Sequence, residues 1–78
     1  MRVFHLVHTS DYDGTEVTEG IFSDIISAMN ESQRLSWARK LIIREYVLGV
    51  TGRGRVAAEW EYVPKYDEPK WELVFEVD

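Results

Sequence analysis

The sequence contains no cysteine. That excludes a disulfide scaffold, thiol catalysis, iron–sulfur ligation and any zinc site built on thiolates. It fits a reducing compartment, and a cytoplasmic location is the expectation. Proline occurs twice, at Pro64 and Pro69, and marks a single turn. No apolar run approaches the ~20 residues that a membrane-spanning helix requires. The opening segment Met1–His8 carries one charge and too short an apolar core for a signal peptide. An intact cytosolic polypeptide without membrane attachment is therefore expected. No Gly-x-Ser-x-Gly or His-Glu-x-x-His pattern occurs, and there is neither an internal repeat nor a low-complexity tract. These absences argue against an enzyme and call for no cofactor.

What is present is a dense apolar content. Of 78 residues, 45% are apolar and 13% aromatic, too many for a disordered chain. The length allows one domain, residues 1–78, with no room for a second core. The net charge is −5 and unevenly spread. Residues 25–58 hold six bases against two acids, and residues 59–78 hold seven acids against two bases. An acidic surface repels phosphate backbones, which disfavours direct nucleic-acid binding and favours a basic protein partner.

Residues 2–8 carry apolar side chains on both alternation faces, as expected of a strand covered on both sides. Residues 9–15 are turn formers, and 16–22 read as a second strand. Ser23 is the expected N-cap of a helix over about 24–34, with Asp24 in its first turn. That helix has room to run on through Trp37 and Leu41. Residues 41–50 are β-branched and aromatic enough for a strand, with a helix through Tyr46 the competing reading. Thr51–Arg55 reads as a turn. Residues 56–63 and 70–77 both alternate. Val56, Ala58, Trp60 and Tyr62 oppose Glu59 and Glu61; Trp71, Leu73, Phe75 and Val77 oppose Glu72 and Glu76. Two such strands joined by a polar turn signal a hairpin. Val56, Trp60, Trp71, Leu73 and Phe75 are then expected in the core. The fold class is α+β: an antiparallel sheet of about five strands, in the order β-β-α-β-β-β, with one helix packed on one face.

His8-Thr9-Ser10-Asp11-Tyr12-Asp13-Gly14 and Gly20-Ile21-Phe22-Ser23 resemble a motif pair in small uncharacterised proteins of bacteria and their phages. There, a first strand ends in His-Ser/Thr-x-x-Tyr-Asp-Gly, and Gly-Ile-Phe-Ser leads into a helix. The likeness covers the first third of the chain. The hairpin of residues 56–78 has no counterpart in it. It implies a compact α+β fold and a phage or mobile-element setting, with no activity to carry over.

Each candidate site competes with a plainer role. His5 and His8 lie three apart, so on a strand they face opposite ways and cannot share a metal. Asp11-x-Asp13-Gly14-x-Glu16 opens like a calcium loop but lacks the glycine and glutamate that the later positions require. An Asx-type turn is the plainer reading. Gly52-Arg53-Gly54-Arg55 offers backbone donors and two guanidinium groups to an anion. No helix follows it, so Arg53 and Arg55 support a nucleotide- or RNA-binding alternative only in outline. The acids Glu59, Glu61, Glu72 and Glu76 recur on one side of the hairpin, where like charges side by side are mildly destabilising. A basic partner would explain them, with Tyr62 and Tyr66 as aromatic anchors. The expected function is a small acidic protein-binding module, such as a phage-encoded inhibitor that masks a basic surface of a host protein. A self-associating subunit, in the simplest case a homodimer, is a further alternative.

Overall fold

Leu6 and Val7 are both fully buried although they are adjacent and point opposite ways. A strand inside a sheet, with a neighbouring strand on each side, allows this. The strand is β1 (Arg2–Thr9), flanked by β2 (Glu16–Phe22) and β3 (Leu41–Leu48). β4 (Gly54–Val63) and β5 (Lys70–Glu76) extend the sheet to the order β2-β1-β3-β4-β5, with every neighbouring pair antiparallel. The structure, a computed structural model, describes residues 1–10, 12–35, 38, 40–49, 54–63 and 70–77. One α-helix is found among the described residues, α1 (Ile25–Ser32), which continues as a short 3-10 turn over Gln33–Leu35. The chain is thus α+β with the expected element order, and residues 41–48 are strand rather than helix. Among the described residues no helix is long and apolar enough to cross a membrane.

Asp24, not Ser23, caps the helix. Its backbone is extended, and its carboxylate accepts from the Ser27 N–H at 2.8 Å and the Ser27 hydroxyl at 3.0 Å. A carboxylate there satisfies otherwise orphaned donors and faces the positive end of the helix dipole. The residue-10–15 turn closes through Ser10 N–H to Thr15 O at 2.8 Å, with Gly14 at φ +76°, a conformation that glycine adopts without strain.

Helix α1 packs over β1, β2 and β3. Between them lie Phe4, Leu6, Ala28, Leu35, Leu41 and Ile43, with Phe22, Ile25, Met29, Trp60, Tyr62 and Trp71 around the rim. Paired residues share a face, so register sorts the side chains. One row, Leu6–Ile43–Trp60–Leu73, lies on the helix side. The next two, Val7–Ile42–Glu61–Glu72 and His5–Arg44–Glu59–Phe75, lie on the opposite side, which α1 leaves uncovered, although Val7 and Ile42 are themselves buried.

Bulges break the simple alternation in three strands. Glu19, Ala57 and Val74 are each one residue too many for the neighbouring strand. The consequences correct the expected core. Beyond Ala57, Val56 pairs with Tyr46 on the uncovered face and is only half-buried. Beyond Val74, Phe75 pairs with Glu59, and Glu76 pairs with Ala58 on the helix side. Leu73 stays on the helix side but lies past the reach of α1. Leu73 is 51% and Phe75 41% exposed, so neither is core. Trp60 and Trp71 do pack against the core edge: Trp60 stands 6.2 Å from Phe4, and Trp71 5.5 Å from Tyr62, between ring centroids.

Candidate functional site

The uncovered face of the sheet carries a cluster of charges. Near its centre, Arg44 on β3 reaches in two directions. Its Nε donates to Glu59 of β4 at 2.8 Å, and its terminal nitrogens hold Glu16 of β2 in a two-pronged grip, one bond at 2.7 Å. Such paired geometry is the strong form of a guanidinium–carboxylate contact. The carboxylates raise the Arg44 pKa, and Arg44 in turn holds Glu16 below the ordinary carboxylate range. His5 stands beside this group, sharing a hydrogen bond with the Thr18 hydroxyl at 2.8 Å, its ring 6.0 Å from Tyr46. Burial first, and Arg44 second, keep His5 below its usual pKa; Glu16 pulls weakly the other way.

Glu59 therefore belongs to an ion-pair strap joining β2, β3 and β4. A lone arginine among the apolar residues of 41–48 was the available signal, because alternation places it beside Glu59 on the same face. Sequence reasoning passed over it.

Glu61 and Glu72 meet as a cross-strand pair on the same face, with Lys40 Nζ 4.0 Å from Glu61. Glu76 does not join them. The Val74 bulge turns it to the opposite side, so the four acids do not form one face. Tyr62 also leaves the group: its ring packs with Trp71 on the helix side, half-buried at the core rim. Tyr66 lies outside the described residues.

Arg55 sits on β4 opposite Val47, exposed, beside a shallow depression that it lines with Val47, Gly49 and Gly54. Arg53 lies outside the described residues. The two histidines occupy opposite faces of β1. His8 Nδ1 approaches Glu19 at 2.7 Å on the helix side, and Arg34 lies 3.6 Å from the same carboxylate. Asp13 is engaged by Thr15, whose N–H and hydroxyl donate to Oδ1 at 3.0 and 2.7 Å and lower the Asp13 pKa. That is the geometry of an Asx turn. Among the described residues no group of three or more His, Cys, Asp or Glu side chains is arranged to hold a metal ion.

The densest unexplained feature is the C-terminal hairpin: two acids side by side on one face and a run of exposed apolar residues along its outer strand. Against known proteins, the chain matches no family model, no curated protein and no solved structure.

Proposed function

We propose that the chain is a small protein-binding module that uses the β4–β5 hairpin to occupy a basic surface of its partner, as an inhibitor masking that surface would. The observation that carries this reading is the Glu61–Glu72 pair. Like charges directly opposite one another weaken a sheet. On the same face Arg44 sits between Glu16 and Glu59, and Lys40 stands 4.0 Å from Glu61. A basic partner relieves the repulsion and is steered toward the hairpin by it. Exposed apolar residues of β5 then supply the area that charge alone does not. Glu59 contributes through the strap that fixes β4, and Glu76 through the other side of β5.

The test reverses both acids in Glu61→Lys/Glu72→Lys and reads folding and capture separately. Expected are an unchanged circular dichroism spectrum, capture of a basic protein from bacterial lysate by the wild type that fades as salt rises, and loss of that capture in the variant. A folded variant that holds the same protein with the same affinity and salt dependence removes the acidic pair from the interface.

A further inference from the structure

β5 is the outer strand of the sheet, with no strand beyond it among the described residues. Its outward backbone groups form a template for another strand. Native sheets blunt such an edge with lysine, proline, bulges or charge. β5 carries some of these devices, Lys70 at its start, the Val74 bulge and the acids Glu72 and Glu76, yet from Glu72 to Val77 every residue is exposed, and Leu73, Val74 and Phe75 lie in a row between the two acids. The opposite edge is built differently. On β2, Glu16 is held by Arg44, Thr18 by His5, and Glu19 by His8 and Arg34. Those side chains fold back over the sheet, whereas β5 presents an apolar trio bracketed by acids.

We propose that the outer edge of β5 receives an extended segment of a partner protein in which basic residues flank a short apolar run. This rests on the protein-binding reading above and names the partner's chemistry. Main-chain hydrogen bonds along an added strand supply affinity, and alternate side chains supply selectivity. The Val74 bulge sends Glu72 and Phe75 to one face and Leu73 and Glu76 to the other. An incoming strand therefore meets one acid and one apolar side chain on each face, and a base opposite each acid complements its charge. A second copy of this chain fits worse. Antiparallel alignment of the two apolar trios sets Glu72 of one copy against Glu76 of the other, and parallel alignment sets like against like. Each copy also brings a net charge of −5.

The experiment titrates the isotope-labelled full chain with a short synthetic peptide in which lysines flank a run of valines. Controls replace the lysines by glutamate, or methylate alternate backbone nitrogens to block strand pairing. Expected are shifts and slowed hydrogen exchange confined to the amides of β5 and its β4 neighbours, and no response to either control. Glu72→Lys/Glu76→Lys, checked for folding by its spectrum, weakens binding about tenfold as attractive cross-strand pairs become repulsive. Absence of binding, or equal binding of the glutamate peptide, overturns the proposal. So does binding of the lysine peptide over the Glu61 face with β5 exchange unchanged, an outcome that leaves the broader protein-binding reading standing. Sedimentation showing a dimer with β5 protected before any peptide is added assigns the edge to a second copy and overturns it as well.

Discussion

A guanidinium at position 44 is held between carboxylates from two different strands, and its side chain is only 21% exposed. Arg44→Met keeps the aliphatic stem and removes the charge. Glu59, with 18% of its side chain exposed, then faces a poorly solvated site without its cation. The expected cost is ~1–3 kcal/mol, the usual range for losing a charge-assisted partner, read from the urea midpoint. Acid acts on the same cluster from the other side. His5 has a folded pKa below its ordinary 6.5, so the unfolded chain binds its proton more readily. Its contribution is complete above the unfolded value and declines as pH falls through the folded one. Glu16, held below 4.5 by Arg44, has the same sign in a lower window. Its stabilisation is present above the unfolded value and is lost as pH falls through the folded one. Melting temperature is therefore expected to hold steady above about 7 and to fall in two stages, beginning below the unperturbed His and Glu values. His5→Gln removes the first stage and leaves the second, and thermal melts across the range check both.

At the scale of elements, the bulges decide which residues carry stability. Trp60 packs at the core edge against Phe4, and Trp60→Ala is expected to cost ~2–4 kcal/mol. Phe75, turned to the uncovered face, is expected to cost less than about 1 kcal/mol as Phe75→Ala, in the range of surface changes. Denaturant unfolding of the two variants separates them, and equal losses would restore an unbroken alternation through β5. The five strands, the helix and their order were legible in the sequence from alternation in residues 56–63 and 70–77, β-branched and aromatic content in 2–8 and 41–48, helical spacing after Ser23, and turn residues between elements. The faces of β5 and the start of β4 were not. A bulge adds one residue without requiring a glycine or proline, and Ala57 and Val74 look like any other strand positions. Counting by twos through them assigns Phe75 inward and Glu76 outward, the reverse of what the register shows. Glu72, on the near side of the bulge, was placed on the correct face by the same counting. The cap was misplaced for a related reason: Ser23 and Asp24 are both good caps, and only the backbone angle at Asp24 distinguishes them.

Across the whole molecule, protection is graded by distance from β1. β1 and β3 have a strand on each side, and their residues Leu6, Val7, Leu41 and Ile43 are buried at 2% exposure or less. β5 is paired on one side and carries mostly exposed side chains. Native-state hydrogen exchange is expected to be slowest in β1 and β3 and fastest in β5, with β5 opening before the chain unfolds as a whole. Exchange of β5 at the global rate would instead make the hairpin part of one cooperative unit. A loosely held outer strand also bears on recognition, because a partner that pairs with it raises the apparent stability of the complex by mass action.

The helix covers β1, β2 and β3 and stops short of β4, so the buried cluster beneath it, Phe4, Leu6, Ala28, Leu35, Leu41 and Ile43, comes from the first part of the chain, and β4 and β5 add Trp60, Tyr62 and Trp71 at its edge. Residues 2–48 hold the helix, the central strands and most of the buried side chains. The C-terminal hairpin, closed by local contacts, then adds to the exposed side of β3. Folding should therefore be polarised. Substitutions at Leu6, Ala28 or Ile43 are expected to slow refolding, while those at Trp71 or Leu73 mainly speed unfolding. Stopped-flow chevrons of these variants read the order directly, and a nucleus centred on the hairpin would reverse the two patterns.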